Sequence, residues 1–291
     1  MISLTPGPPN ETRPGAAIHA TTPAGGSMKL TYATWNTLAG GIDAGDESRL
    51  RRQMALLASL SPAAVGLQEC KYWDRENFRA LHLAERLLGM RGFLASSAHH
   101  GCHLAVFIRE DAGLRVTEQR HEHGNEWWHG VACVLVEADG FPQPLQLASC
   151  HLAPSSPARR LAEAEAFALV AERGPLIAGG DWNALPAGDP EPSGPVSGKH
   201  RRMLDRGPAE ALEEVGLLDI GAHMRDTTPT VGHASKLPYR CDRIYTTLPP
   251  DAITGYQVIT SADSESDHRP VIAEFDLTRT AAHDVRAGDQ S

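Results

Sequence analysis

Asp267 and His268 stand side by side in the run Ser266-Asp267-His268-Arg269-Pro270-Val271, just ahead of the strand-like residues 271–275. A carboxylate beside an imidazole at a strand's mouth can be shown to a ligand by a rigid sheet edge. Alone the pair is weak, because Asp-His occurs by chance. Four other apolar runs, however, end in residues of the same kind: residues 32–35 in Asn36, 65–68 in Glu69, 147–150 in His151, and 176–180 in Asp181-Trp182-Asn183. A fifth run, 241–245, carries Asp242 near its start.

This set suits metal-assisted phosphoester cleavage. A phosphate repels incoming hydroxide, and a hard divalent cation offsets that charge. Mg²⁺ prefers oxygen ligands and keeps several waters; Glu69 and Asn36 offer such oxygens, and Asp267 can complete the shell. Asp181 can orient or deprotonate the attacking water, and Asn183 can hold a phosphate oxygen. A histidine can stabilise developing charge or protonate the leaving oxygen. Asp242 can fix the tautomer of His268. Each position also has a plainer reading. Asn36 can cap the turn before Gly40-Gly41, Asp181 and Asn183 can form an Asx turn, Glu69 can be a surface carboxylate, and Asp242 can pair with Arg240 or Arg243 instead.

The elements that must carry these residues follow from periodicity. Short runs rich in Val, Ile, Leu or aromatics, bounded by turn residues, predict strands over 29–35, 64–68, 103–108, 131–137, 145–150, 176–179, 241–246, 256–260 and 271–277. Apolar residues at helical spacing predict helices over 48–60, 75–88, 157–173 and 208–215. Strand–helix units open each half, with antiparallel-looking strands between them. That order predicts an α/β (α+β) chain: two packed mixed sheets flanked by helices. Residues 1–27, with five Pro and four Gly, are expected to be a disordered extension. Residues 28–278 are expected to form one domain, and 279–291 a polar tail. Met28 is a plausible alternative start. The Pro/Gly-rich segment 186–198 reads as a long functional loop.

The bulk numbers are those of an ordinary globular chain: 291 residues, 41% hydrophobic, 22% charged, net charge −9. A global positive field does not steer polyanions to it. Five cysteines with no Cys-x-x-Cys pair argue against a disulfide framework or a thiolate zinc site. A reducing, cytoplasmic location is the simpler expectation. No apolar run approaches membrane-spanning length, and no protein partner is implied. Cys70, Cys150 and Cys241 each adjoin a candidate site residue, so strand alternation turns them away from the site into packing. The other histidines, His99, His100, His103, His121, His123 and His129, lack ligand spacing and read mostly as loop or solvated residues.

Six of these runs, taken in order, resemble the endonuclease/exonuclease/phosphatase superfamily, the deoxyribonuclease I-like fold. They are Trp35-Asn36, Gln68-Glu69, Ser149-Cys150-His151-Leu152, Gly180-Asp181-Trp182-Asn183, Asp242-Arg243-Ile244 and 266–271. The resemblance covers roughly residues 28–277. It implies a four-layered α/β sandwich and Mg²⁺- or Mn²⁺-dependent hydrolysis. It casts Asn36 and Glu69 as the main metal ligands with Asp267 in support. Asp181 and Asn183 become the water- and phosphate-positioning pair, and His268 the catalytic histidine oriented by Asp242. His151 stands where some relatives have Tyr, which argues against the abasic-site repair branch. Trp182 replaces the more usual Phe.

The expected activity is a phosphodiesterase or nuclease working by in-line attack of a metal-activated water. The alternatives are a phosphomonoesterase for a small metabolite or lipid headgroup, and a non-catalytic phosphate-binding module. Arg159, opening the helix after His151, and Arg201, in the basic run 199–202, are candidate substrate-binding residues. Trp127-Trp128 can stack a base, but a core edge is the preferred reading. The acidic balance disfavours tight duplex binding, which gains affinity from phosphate neutralisation. Single-stranded nucleic acid, a nucleotide or a small phosphoester fits better.

Overall fold

The computed structural model describes residues 28–193, 196–233 and 237–280. The expected extension 1–27 and nearly all of the expected tail therefore lie outside the described residues. Strands β1 (Lys29–Asn36), β2 (Ala64–Lys71), β3 (Arg91–Ala95), β4 (Cys102–Ile108), β11 (Ile253–Val258) and β12 (Val271–Asp276) form one sheet, ordered β11-β12-β1-β2-β4-β3. Strands β5 (Leu114–Gln119), β6 (Gly130–Ala138), β7 (Leu145–His151), β8 (Leu176–Asp181), β9 (Leu218–Asp219) and β10 (Asp242–Thr246) form the other, ordered β5-β6-β7-β8-β10-β9. Each sheet has one parallel pair at its heart, β1 with β2 and β7 with β8.

Period-two alternation divides the side chains into layers. Leu30 and Tyr32 of β1, Leu145 and Leu147 of β7, Ile177 of β8 and Ile244 of β10 share one core between the sheets. Ala33, Trp35, Val65 and Leu67 face outward beneath helices α1 (Ser48–Ser59) and α2 (Arg75–Leu88). Ala148, Cys150, Ala178 and Tyr245 face outward beneath α3 (Pro157–Ala171), and Leu212 of α5 (Gly207–Glu214) joins them. Between these two helices in the chain lies the short α4 (Gly198–Arg201), and the equally short α6 (Ile220–His223) follows β9. The result is the four-layered α/β sandwich.

The apolar seam is stitched by a few polar groups. The Tyr32 hydroxyl donates to Ala148 O at 2.5 Å and accepts from Gly179 N at 3.3 Å, joining the two sheets. Gly66 and Gly179 make room for that ring: a Cβ on Gly66 would lie 2.2 Å from the hydroxyl, and one on Gly179 would lie 2.4 Å from Thr34 Cβ. Nearer the site, Gln68 Nε2 donates to Thr34 Oγ1 and across the seam to Ser149 Oγ, which in turn donates to Leu67 O.

Three strands escape the sequence pattern, one of them the two-residue β9, too short to show a period. β3 and β5 are edge strands with half-polar sequences, RGFLA and LRVTEQ. An edge strand needs neither a continuous apolar face nor both rows of backbone partners, and charge there discourages pairing with other chains.

Replacing Tyr32 by Phe removes both cross-sheet bonds and keeps the ring. Urea unfolding should show about 1–2 kcal/mol lost, with an unchanged m-value; an unchanged midpoint would mean that the stitch carries no stability.

Candidate active site

The alternation that fills the seam also delivers the site. On β1 the inward series Leu30, Tyr32, Thr34 ends in Asn36; on β7, Leu145, Leu147 and Ser149 lead to His151; on β8, Ile177 and Gly179 lead to Asp181. Asp242 opens β10 directly opposite Asp181, and His151 pairs with Asp181 along β7–β8. Glu69 arrives by another route. The β2–β4 register shifts between Leu67 and Cys70, and Glu69 takes φ 54°. A bulge of this kind re-aims a side chain at a sheet's rim. Asn183 has φ 47°, and its N–H bonds Asp181 Oδ1 at 3.1 Å, so the pair does form an Asx turn.

Asp181, only 2% exposed, is the hub. Its Oδ2 accepts from Asn36 Nδ2 at 3.0 Å and lies 3.3 Å from His151 Nε2 and 3.8 Å from His268 Nε2. Its Oδ1 accepts from Asn183 N and from the Cys241 thiol at 3.0 Å. Burial opposes its charge, but His268 and His151 outweigh burial and hold the carboxyl well below the usual carboxylate range. Burial likewise opposes a charged His268, yet Asp242, whose carboxylate meets Nδ1 at 2.9 Å, and then Asp181 raise the ring to about 10. The same balance, with Asp181 as the partner, raises His151. Asp242 thus pairs with His268. Arg240 goes instead to Asp189 and Asp219, and Arg243 to the carbonyls of Ala184 and Arg240.

The residues suit a hard cation. Asn36 Nδ2 spans Glu69 Oε1 (3.2 Å) and Asp181 Oδ2, which fixes the amide's orientation, and Asn36 Oδ1 accepts from Leu38 N. Glu69 Oε2 accepts from Ala39 N at 2.9 Å. Asn36 Oδ1, Glu69 Oε1 and Glu69 Oε2 each take one hydrogen bond and keep a lone pair, the donor chemistry Mg²⁺ or Mn²⁺ requires. Asp181, Asp242 and His268 also place donor atoms within 4.8 Å of one another. There, however, His268 Nδ1 is taken by Asp242, and Asp181 Oδ1 by Asn183 and Cys241, so the Glu69–Asn36 oxygens are the better cation donors. Asp267 stands exposed on the rim beside His268, and its charge adds to the pull that raises the His268 ring.

Some expectations need correction. Cys70 and Cys150 do turn into the outer cores, but Cys241 does not. It precedes β10 in a tight turn, where its N–H reaches Tyr239 O, so strand alternation no longer governs it. Its thiol accepts from Tyr239 Oη at 3.4 Å and donates to Asp181. Two of the histidines read as loop residues are buried. His103 pairs with Asp74 at 2.9 Å, and His129 stacks on His151 with centroids 4.1 Å apart and Nδ1 3.3 Å from Ser97 Oγ. Trp127 is core, whereas Trp128 stacks on His99 at 4.0 Å.

Arg159 lies over Trp128 and near Glu163, away from the hub. Arg160 is buried against backbone carbonyls, and Arg201 is exposed on α4 without side-chain contact to the cluster. Buried Glu163 ties down both flanks of His151 by accepting from Trp128 N and Ala153 N. In the loop after Asn183, Arg206 donates to the carbonyls of Pro186, Ala187 and Asp189, and the Asp189 carboxylate grips Arg240. No spacing rule points to Cys241, His129 or Glu163. Only the presence of a polar residue on an apolar element could have flagged them.

The model of the Endonuclease/Exonuclease/phosphatase family matches residues 33–268. Among solved structures, a D. rerio TDP2 humanised by 14 mutations is 19% identical, covering 86% of this chain and 99% of its own, at a TM-score of 0.62. D. rerio TDP2 complexed with a single-strand DNA product is 18% identical, covering 85% and 98%, at 0.60. An AP endonuclease from Archaeoglobus fulgidus is 17% identical, covering 85% and 99%, at 0.65. No match was found among curated proteins. At such identities the likeness to solved structures speaks for the fold.

The stacked histidines make a pH prediction. Burial, and then the neighbouring His151, push His129 down to about 2, so it is neutral in the folded chain. Unfolded, it titrates near the ordinary value of about 6.5. Below that pH the unfolded chain holds a proton the folded chain lacks, so stability falls with pH, by at most about 1.4 kcal/mol per unit from this group. Replacing His129 by Phe, which can keep the stack, should flatten the loss of urea midpoint between about pH 7.5 and 5. Identical slopes would show that His129 does not carry it.

Proposed function

The chain belongs to the Endonuclease/Exonuclease/phosphatase family, and on that premise we propose that its site hydrolyses phosphodiester bonds, as a nuclease or related phosphodiesterase. The observation that carries this reading is the convergence on Asp181 of Asn36 from one sheet and His151 from the other, with the Asp242–His268 pair closing the site. Glu69 and Asn36 would hold Mg²⁺ or Mn²⁺, with Asp267 as a third oxygen donor from the exposed rim. Such an ion, when bound, offsets phosphate charge and acidifies water.

The chain's own groups divide the rest. Asp181 is held ionised by His268 and His151, against the opposing effect of burial. Its role in this reading is to orient the attacking water through Oδ2, the oxygen facing the imidazoles. The Asn183 amide donates one proton to Leu152 O at 3.0 Å and keeps the second for a phosphate oxygen. His268, kept protonated by Asp242, aims positive charge at the oxygens that gain charge as the bond to the leaving group breaks. His151, buried and with Nδ1 unpartnered, supplies a second imidazole from the opposite sheet. Cys241 and Asn183 N hold Oδ1, so the carboxylate cannot rotate away; Cys241 acts through Asp181 and is a positioning residue.

A substrate panel decides the class. With Mg²⁺ or Mn²⁺, bis-p-nitrophenyl phosphate and a single-stranded oligonucleotide should be cleaved; turnover of p-nitrophenyl phosphate alone would sink the phosphodiesterase reading in favour of a monoesterase. Excess EDTA should stop turnover and added Mg²⁺ restore it; persistence in EDTA would remove the cation from the mechanism. Glu69→Ala should lower kcat about 10²-fold or more while circular dichroism stays unchanged. Cys241→Ala should lower kcat by about 10–100-fold at a constant KM, with Cys241→Ser recovering most of the loss. Equal effects of Ala and Ser would deny the thiol its hydrogen-bonding role.

A further inference from the structure

Beside the catalytic cluster lies a cavity of about 390 Å³ between the turn after β1 and the start of α2. Ala39, Glu47, Lys71, Tyr72, Arg75 and Arg79 contribute to its lining. It shares a wall with the site, because Ala39 N–H bonds Glu69 Oε2 and Lys71 follows Glu69 by two residues. Arg79 is neutralised by Glu47 and Glu76. Lys71 and Arg75 have no carboxylate partner among the described residues; they sit instead against the Tyr72 ring, with Arg75 Cζ 3.7 Å and Lys71 Nζ 5.5 Å from its centroid. In a chain of net charge −9, these are two uncompensated cations at the door of a phosphoester site.

Two further observations fall on the same place. Tyr72 is 41% exposed, and Leu38 and Phe78, which flank the lining in the chain, are 37% and 42% exposed. Together they are three of the six exposed large apolar side chains among the described residues. Among the described residues twelve non-glycine residues have positive φ, and seven of them line or flank this cavity: Leu38, Ala39, Ala44, Tyr72, Glu76, Asn77 and Phe78. Such conformations are unfavourable for residues that carry a Cβ, and they gather at ligand sites.

We propose that this cavity binds the nucleotide next to the scissile phosphodiester of a single-stranded nucleic acid, its phosphate on Lys71 and Arg75 and its sugar or base against Tyr72. The assignment rests on the phosphodiesterase reading and narrows it. Cations that track a backbone beside an exposed aromatic are how single strands are held. A small phosphomonoester would have nothing to place there. A duplex keeps its bases stacked and gains affinity through many phosphate contacts, which an acidic surface does not offer.

The test compares Arg75→Glu, Tyr72→Ala and the double variant with the wild type on two substrates, oligothymidylate and bis-p-nitrophenyl phosphate, the latter lacking a neighbouring phosphate. The ratio of kcat/KM between oligonucleotide and small diester should fall about tenfold or more in the double variant. The salt dependence of oligonucleotide KM should become shallower. A parallel fall on both substrates, or an unchanged ratio, overturns the subsite. Fluorescence anisotropy of labelled oligothymidylate tests it without turnover: about tenfold weaker binding by the double variant supports it, and equal binding overturns it. A wild type that cleaves neither substrate but binds the oligonucleotide through these residues would defeat the phosphodiesterase reading and leave the subsite standing. Equal weakening on a duplex of the same length would overturn the single-strand assignment.

Discussion

A buried carboxylate has to be answered, and Asp181 is the one to which this molecule is most committed. At its depth an uncompensated charge would cost several kcal/mol. Its partners come from Asn36 on one sheet, His151 on the other, His268 ahead of β12 and Cys241 ahead of β10. His151 and Cys241 come with Asp181's own sheet, but Asn36 and His268 reach it only if the two sheets pack in one register. The Tyr32 and Gln68 bonds across the seam hold that register from within. The same dry setting that makes the charge expensive strengthens every dipole aimed at it.

The positive-φ conformations at Glu69, Asn183, Leu38 and Ala39 belong to this economy. Three outer and inner apolar clusters, built on α1, α2 and α3 and on the seam, hold the strand ends in place. Arg49 pins the chain after Asn36 by donating to Thr37 O at 2.7 Å and Leu38 O at 2.9 Å. Strain at the rim is tolerable because the interior beneath it cannot yield.

Much of this was legible from residue order. Alternation along residues 29–36, 145–151 and 176–181 located the inner strands and put Asn36, His151 and Asp181 at their ends, because a buried strand must repeat every two residues. The four longer helices announced themselves by apolar spacing, within two residues at each end. Legibility failed where alternation does. The edge strands β3 and β5 have no fully buried face, and the turn at 239–241 swings Cys241 inward; Glu69 was legible only as the residue ending the run 65–68, because the bulge there breaks the count. His129 and Glu163 were invisible for another reason: their partners, His151 and the Trp128 and Ala153 amides, are set by packing between elements.

Arg240 and Arg206 have a consequence for the segment that follows Asn183. Arg240 clamps Asp189 to Asp219, and Arg206 gathers the carbonyls of 186, 187 and 189. The chain between Asp189 and Arg206 is fastened as well: buried Arg160 takes the Arg202 carbonyl, Leu185 N–H bonds Asp205 O at 3.0 Å, and Leu204 packs against Leu185 and Cys241. The segment past Asn183 is thus a riveted rim, so a change in its length would be felt at Leu185, two residues from Asn183, and at Cys241 beneath Asp181.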